Sequence, residues 1–385
     1  MKTVLVAFLD KDFPPEHSFV DDMLSSLVPR KGLVGVRLYV SGRNARPTRY
    51  RNAACLPILL ERKGIKRFFN FFKVFFCLLY QIRREKKKGN SVVVFVRNDP
   101  VYLAAAALLR YKFDRLIFQS SFPHEQVSRV FIKRFIALSM YRFSSSSVDA
   151  ITAVSPAGLC RVSRIFPEAM CKYFIPLLLN PSMLQFDSKI EGEKVTFIYI
   201  GTHAKEREIE LVLRSIITAF KKESGMEFVF LGGSKGDVSR LEKVQGLSVY
   251  IDSGSVRFEG KVPRSSVGTY LARADIGLCL IPSSPIYYEA SPTKLAEYLG
   301  AGLAVLASKG IALQEEIMLE SRAGILVNWD EFEIAESILK MVRDKQHLVE
   351  MKRRAAIYAN ENLLYSSYLA RFDELIGLRK SPEFI

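Results

Sequence analysis

Strand-length apolar runs alternate with helix-length segments along most of the chain, and this alternation limits the fold more than any other feature. Strands that are buried on both faces give continuous apolar runs, and parallel strands need helix-length connections between them. The first series of runs covers residues 3–9, 33–40, 91–96, 115–121 and 150–155. The pattern therefore predicts an α/β fold with a parallel sheet covered by helices.

The pattern stops once and then begins again. Asn180-Pro181 ends an apolar run, and a polar stretch leads into a second series of strand-like runs. These lie at 195–201, 227–233, 247–251, 256–260, 276–282, 303–308 and 323–327. A chain of 385 residues is long enough for two cores. We predict two Rossmann-like domains, residues 1–188 and 189–359, with the terminal helical segment 360–385 able to pack back on the first domain.

Charge and cysteine content restrict the partners and the compartment. Lys and Arg outnumber Asp and Glu by 56 to 40, a formal net charge of +16, which favours phosphorylated ligands, nucleic acid or an anionic membrane. The five cysteines form no Cys-x-x-Cys pair, so neither a disulfide framework nor a zinc site is predicted. The apolar start of the chain is too short for a spanning helix, and we interpret it as a strand. A cytoplasmic setting is expected.

The stretch EASPTKLAEYLGAGLAVLAS, Glu289 to Ser308, directly follows an apolar strand-like run. Loops at the carboxyl ends of parallel strands form the ligand sites of open sheets. Ser291 suits a helix N-cap and Pro292 the first helical position. The backbone N–H groups of Thr293, Lys294 and Leu295 then face a phosphate, and Lys294 adds a positive charge.

Two glutamates flank this helix start. Glu297 lies one turn into the predicted helix, where a carboxylate can accept hydrogen bonds from a ribose diol, and Glu289 can bind sugar hydroxyls further out. Gly300 or Gly302 is expected to end the helix in the left-handed conformation. Spacing alone fits equally well a solvated loop glutamate and a helix-start carboxylate that the macrodipole favours.

The stretch resembles the signature of the GT-B glycosyltransferases of family GT4, in which Glu-x7-Glu is followed by a similar helix and strand. FIYIGTHAKEREIELVLRSI and VRFEGKVPRSSVGTYLARADIGL resemble the segments that precede it in the family. The resemblance implies the GT-B fold, two Rossmann-like domains facing each other across a cleft. The N-terminal domain is then the acceptor side, and the C-terminal domain binds the nucleotide sugar.

The resemblance also implies an activity. It is a retaining transfer of a sugar from a UDP- or GDP-linked donor to a hydroxyl of a glycan or lipid-linked glycan, of the kind that assembles bacterial-type surface polysaccharide or lipopolysaccharide. Helix N–H groups with Lys or Arg can stabilise a diphosphate leaving group, so we expect no metal and no other cofactor. No residue pattern assigns a covalent nucleophile.

Site residues follow from the same resemblance. It implies that Glu289 contacts the donor sugar, that Glu297 contacts the ribose, and that His124 faces sugar and acceptor. Lys205 or Arg207 is expected to neutralise the diphosphate. Lys205 and Arg207 also fit solvated residues at a helix start, and His124 also fits a hydrogen-bonded loop residue.

The loops that precede these residues depart from the family pattern in two places. Gly201 matches the family's glycine after the first strand of the donor domain, but Thr202 stands where many relatives have arginine. The first N-terminal loop, DKDFPPEHS, lacks the family's glycine pair, so a phosphate contact from that loop is not expected.

A basic and aromatic segment covers residues 62–88 in the N-terminal half. Its apolar stretch is too short to span a bilayer, but as a helix it suits a membrane interface, with apolar side chains at the acyl boundary and cations at anionic headgroups. The predicted interface residues are Arg67, Phe71, Phe72, Phe75, Phe76, Arg83 and Arg84. The alternative is a core helix with solvated ends. We expect peripheral attachment to the cytoplasmic face of a membrane, close to a lipid-linked acceptor.

Two other functions remain open from the sequence. One is a sugar-nucleotide epimerase on the same fold, and the other is a non-enzymatic basic protein that binds membrane or nucleic acid. No known DNA- or RNA-binding motif occurs, so nucleic acid is not an expected partner.

Overall fold

A computed structural model describes residues 2–12, 31–41, 47–50, 53–58, 69–127, 130–179 and 194–379, together with residues 23, 24, 26 and 184. The chain divides into two compact units. Unit 1 comprises Met1–Leu177, Glu289–Ser291 and Tyr365–Ile385, and unit 2 comprises Leu178–Tyr288 and Pro292–Leu364. The predicted boundary after residue 188 falls outside the described residues.

Unit 1 is built on an eight-stranded sheet. Its strands are β1 (Thr3–Asp12), β2 (Leu33–Ser41), β3 (Thr48–Tyr50), β4 (Ala53–Ile58), β5 (Ser91–Arg97), β6 (Arg115–Ser120), β7 (Ala150–Ala153) and β8 (Cys171–Phe174). Their order is β3-β4-β2-β1-β5-β6-β7-β8, and every pair is parallel except β3 with β4. The five predicted strands of this half are confirmed.

The helices of unit 1 cover this sheet. They are α1 (Phe69–Lys87), α2 (Pro100–Ala107), α3 (His124–Val127), α4 (Phe131–Ser144), α5 (Pro156–Ile165) and, near the C-terminus, α15 (Leu369–Leu375). Helix α1 packs on α2, and α2 packs on α4, so these three lie side by side. The core between helices and sheet is aliphatic and aromatic, with Phe8, Val94 and Phe118 fully buried.

Unit 2 has a six-stranded, fully parallel sheet. Its strands are β9 (Val195–Ile200), β10 (Met226–Leu231), β11 (Val256–Gly260), β12 (Ile276–Cys279), β13 (Ala304–Ser308) and β14 (Gly324–Val327). Their order is β11-β10-β9-β12-β13-β14. From β9 to β11 each new strand is added toward one edge of the sheet, and from β12 to β14 toward the other edge. The carboxyl ends of β9 and β12 therefore form a topological switch point, where open parallel sheets bind ligands.

The helices of unit 2 connect these strands. They are α6 (Ile209–Phe220), α7 (Lys235–Leu241), α8 (Ser248–Asp252), α9 (Arg264–Leu271), α10 (Pro285–Tyr288), α11 (Thr293–Gly300), α12 (Ala312–Ser321), α13 (Glu331–Arg343) and α14 (Lys345–Asn362). The predicted strand at 247–251 is wrong, because this segment forms α8. Tyr250 stacks on Phe220 of α6 with ring centroids 4.3 Å apart, so its apolar side chains pack on a helix.

A buried ion pair fixes the start of β12. Asp275 accepts a hydrogen bond from the Thr196 backbone N–H at 3.0 Å, and its other oxygen lies 2.8 Å from the Lys352 ammonium of α14. Both charged side chains are 4% exposed. Breaking a buried pair leaves an uncompensated charge, which costs far more than removing an exposed pair.

We predict that Lys352→Met lowers the stability of unit 2 by about 3–5 kcal/mol, because Asp275 then lacks its cation. Thermal unfolding followed by circular dichroism measures the loss. The control is Arg353→Met on the same helix, since Arg353 pairs with Glu350 at the surface and its loss should leave the unfolding midpoint nearly unchanged. Equal unfolding midpoints for the two variants would contradict the prediction.

Candidate functional site

Helix α11 is held tightly at the switch point of unit 2. The Tyr298 hydroxyl accepts a hydrogen bond from the Ile200 backbone N–H at 2.9 Å, at the end of β9. A Cβ on Gly277 of β12 would lie 2.2 Å from the Tyr298 ring, so only glycine permits this packing. These contacts place the first turn of α11 beside the loop that follows β9.

The start of α11 leaves backbone donors available. Pro292 is the N-cap and no side chain caps the helix, whereas Leu295 N–H already donates to the Pro292 carbonyl at 3.1 Å. Among the described residues, no acceptor is found for the N–H groups of Thr293 and Lys294. Two donors at a positive helix end suit an anion.

The predicted cap residue is wrong. Ser291 was expected at the N-cap with Pro292 at the first helical position, but its hydroxyl accepts from the Leu177 backbone N–H at 3.0 Å within unit 1. The helix therefore begins one residue further on. The predicted end is confirmed, because α11 stops at Gly300 and Gly302 follows with φ of 70°.

Two cations lie on aromatic rings at the same end of the sheet. The Lys294 ammonium is 4.2 Å from the centroid of the Tyr199 ring, and the Arg207 guanidinium is 4.7 Å from that of Tyr287. Burial lowers the pKa of Lys294 to about 8, and the charge of Arg207 acts in the same direction against the opposing effect of Cys279. Lys294 and Arg207 therefore form a positively charged pair at this end of the sheet.

Glu297 lies one turn into α11 and is 8% exposed. Its Oε1 is 3.4 Å from Nη2 of Arg264, the first residue of α9. Sequence reasoning missed Arg264, although a cation at a helix start opposes the macrodipole and thus signals another role.

The loop after β9 depends on close backbone packing. Gly201 has φ of 151°, and a Cβ on Gly232 would lie 2.0 Å from the Gly201 carbonyl oxygen. The loop continues into a 3₁₀ turn, Lys205–Arg207, in which Lys205 is exposed. His203, also missed from the sequence, is buried against Tyr199, and burial lowers its pKa to about 4, which keeps the imidazole neutral.

Glu289 belongs to unit 1, and so does Glu125, the residue that follows His124. The Glu289 carboxylate lies 2.7 Å from Nε of Arg161, and Arg161 also pairs with Glu125. His124 begins α3, but its side chain lies outside the described part of the structure. The structure thus groups Lys294, Arg207 and Glu297 in unit 2 and places Glu289 in unit 1 with a cation that sequence reasoning missed.

The predicted membrane-interface residues divide into two faces of α1. Phe71 and Phe75 pack against the core of unit 1, with ring centroids 6.5 Å apart. Phe72 and Phe76 are exposed, as are Arg83 and Arg84. Arg67 lies outside the described residues. Among the described helices, none is both long enough and apolar enough to cross a membrane.

Comparison with known proteins identifies the domain that carries α11. Residues 194–344 match the family model of the glycosyl transferases group 1. This part of the chain is a glycosyl transferases group 1 domain. No curated protein sequence matches the chain.

Solved structures match the fold over nearly the whole length of the chain. Sucrose-phosphate synthase from Thermosynechococcus elongatus superposes with a TM-score of 0.76 at 14% identity, over 98% of this chain and 99% of that chain. Anabaena HepE in complex with UDP-glucose gives 0.72 at 11% identity, over 98% and 100%. An α,α-trehalose-phosphate synthase (UDP-forming) from Burkholderia xenovorans, in complex with glucose-6-phosphate, gives 0.69 at 10% identity, over 98% and 100%. The predicted GT-B fold with two parallel-sheet, Rossmann-like domains is confirmed.

Within the described ranges, no group of three or more His, Cys, Asp or Glu side chains is arranged to hold a metal ion. Metal-independent transfer stays a prediction.

We predict that the affinity of the chain for a nucleotide diphosphate sugar weakens as the pH rises through about 8, the pKa of Lys294. Lys294 holds its positive charge below its lowered pKa of about 8 and loses the charge above it. Calorimetric titration with UDP-glucose between about pH 6.5 and about pH 9.5 measures the effect. Lys294→Arg should bind with no such pH dependence, since arginine stays charged. A wild-type affinity that is constant across this range would contradict the assignment.

Proposed function

We propose that the chain transfers a sugar, with retention at the anomeric carbon, from a UDP- or GDP-linked donor to a hydroxyl of a glycan or lipid-linked glycan, in surface polysaccharide or lipopolysaccharide assembly. One observation carries the proposal. In the glycosyl transferases group 1 domain, Lys294 and Arg207 lie beside two available helix N–H groups and the Glu297 carboxylate. The UDP-glucose complex of Anabaena HepE supports a UDP-linked donor.

Each of these groups has a place in the reaction. Negative charge gathers on the diphosphate as the glycosidic bond breaks, and Lys294, Arg207 and the N–H groups of Thr293 and Lys294 stabilise it. The cations are fixed by their aromatic neighbours before substrate arrives, so little reorganisation is needed. Glu297 accepts hydrogen bonds from the ribose diol, and its pairing with Arg264 orients the carboxylate. These groups need no metal.

The remaining predicted residues act on sugar and acceptor. Glu289 binds hydroxyls of the donor sugar, and His124 faces the reacting carbon. Lys205, which is exposed, adds positive charge to the loop where donor binds. Both roles for Glu289 and His124 rest on the resemblance of the signature and of the LIFQSSFPHE segment to family GT4.

We predict that Glu297→Ala abolishes stabilisation by the nucleotide donor, whereas Glu289→Ala mainly lowers turnover. Thermal shifts with UDP, GDP and their sugar conjugates in EDTA identify the base, since a ligand at about 100 times its Kd stabilises by about 2.7 kcal/mol. The control is Glu316→Ala, an exposed glutamate on α12. Wild-type shifts and kinetics in both variants would sink the site assignment, and conversion of donor without acceptor would identify an epimerase.

The acceptor side of the proposal rests on one surface of unit 1. Helices α1, α2 and α4 lie side by side, and their residues include eight Lys or Arg but only one acidic residue, Glu85. Glu85 is buried and pairs with Lys88 at 3.1 Å. Large apolar side chains point outward on α4 as well as α1, with Phe131 77%, Ile132 66% and Phe135 59% exposed.

Exposed apolar side chains among cations, without exposed acids, fit an anionic lipid surface. We therefore propose peripheral attachment at the cytoplasmic face of a membrane, through α4 in addition to the predicted α1. Attachment there would bring the enzyme to a lipid-linked acceptor.

We predict that replacing Phe131, Phe135, Phe72 and Phe76 with serine releases the protein from phosphatidylserine vesicles and leaves donor thermal shifts unchanged. Co-sedimentation with anionic and with neutral vesicles measures attachment. Phe332→Ser is the matched control, because Phe332 is 65% exposed in unit 2. Undiminished sedimentation of the quadruple variant would contradict the proposal. Concentration-dependent dimers that the same changes abolish would assign the face to a second copy.

A further inference from the structure

Arg161 of α5 makes more charged contacts than any predicted site residue. Its Nε donates to both Glu289 oxygens, at 3.0 and 2.7 Å, its Nη1 donates to Oε1 of Glu125, and its Nη2 donates to the Ser120 hydroxyl at 2.8 Å. All of these residues belong to unit 1. One guanidinium therefore engages the predicted sugar-binding carboxylate and the residue that follows the predicted catalytic histidine.

The cluster is largely shielded from water. The side chains of Arg161, Glu289 and Glu125 are 14%, 15% and 6% exposed. Two carboxylates share one cation, so the cluster carries a net negative charge. Arginine stays protonated at all physiological pH values, and its planar group has donors for several partners at once. Arg161 can therefore hold both carboxylates in fixed directions at once.

Separate contacts hold the backbone of the same segment. The Ser155 hydroxyl donates to the Glu289 carbonyl at 2.7 Å, and it also accepts from the Gly158 backbone N–H at the start of α5. Ser291 is tied to Leu177, as described above. These bonds fix the main chain of the segment. The contacts of Arg161 therefore act mainly on the direction of the Glu289 carboxylate.

We infer that Arg161 is a positioning residue for sugar transfer, which orients the Glu289 carboxylate and, through Glu125, the start of α3 at His124. This inference rests on the proposed function. Held in this direction, the Glu289 carboxylate accepts a hydrogen bond from a sugar hydroxyl. Tyr141 interacts with Glu125 and Arg161 of the cluster, and burial keeps its phenol neutral by raising its pKa.

The variants Arg161→Gln and Arg161→Lys test this role in the full-length enzyme. Misdirected groups lower the rate of the chemical step, so we expect Arg161→Gln to lower kcat by about tenfold or more, with KM for the nucleotide sugar within about threefold of wild type. Arg161→Lys should restore part of kcat, because it keeps the charge.

A control and a double variant separate positioning from folding. Arg164→Gln, one turn further along α5, changes an exposed arginine that contacts Cys160 and should leave kcat unchanged. Because Arg161 acts partly through Glu289, Arg161→Gln combined with Glu289→Gln should lower kcat by less than the product of the two single losses. Should Arg161→Gln fail to fold, the same double-variant comparison with Arg161→Lys decides.

An active enzyme in which Arg161→Gln keeps wild-type kcat, or in which the effects of Arg161→Gln and Glu289→Gln are fully additive, would overturn the inference. Absence of turnover in the wild-type protein with every nucleotide sugar would instead overturn the proposed function.

Discussion

The hydrogen bond from the Ile200 backbone to the Tyr298 hydroxyl is the contact on which the proposed donor site depends. It joins the end of β9 to the middle of α11, and the ring reaches that position because Gly277 of β12 has no side chain. The loop with Arg207 and the helix start with Lys294 are thereby held at one switch point. Cation-binding aromatic rings, Tyr199 and Tyr287, then fix the two charges.

Positive charge serves two chemically different purposes in this molecule. In unit 2, few cations are placed individually at the carboxyl ends of strands, and burial tunes Lys294 until its charge responds to pH near neutrality. On α1 and α4 of unit 1, the cations are solvated and interleaved with exposed phenylalanines, so their number and the scarcity of acids matter more than exact geometry. Arg161 belongs to neither group, because carboxylates already occupy it.

Periodicity and motif spacing predicted most of the fold and part of the site. Continuous apolar runs identified strands that are buried on both faces, whereas β3, β4 and β8 are short or partly exposed and left no such run. The segment 247–251 was misassigned because five residues are too few to separate a strand from a helix turn. Arg264 and Arg161 acquire their carboxylate partners only through contacts between residues distant in the sequence, and the helix start at Arg264 was the one signal that the sequence offered for either. His203 packs on nearby Tyr199 but also on Phe230 and Phe258, which are distant in the sequence. Ser291 is a residue type that commonly caps helices, but its hydroxyl accepts a hydrogen bond from the backbone N–H of Leu177, which is distant in the sequence.

Three consecutive residues of the signature, Glu289 to Ser291, group with unit 1, while the residues on both sides group with unit 2. Glu289 and Glu297 are eight residues apart in the signature, yet the first belongs to unit 1 and the second to unit 2. A chimera that replaced the first 177 residues with those of a relative would keep the whole signature, while the residue that faces its first glutamate from α5 would come from the relative. A change in α5 therefore has to be matched by a change at Glu289, more than a hundred residues away.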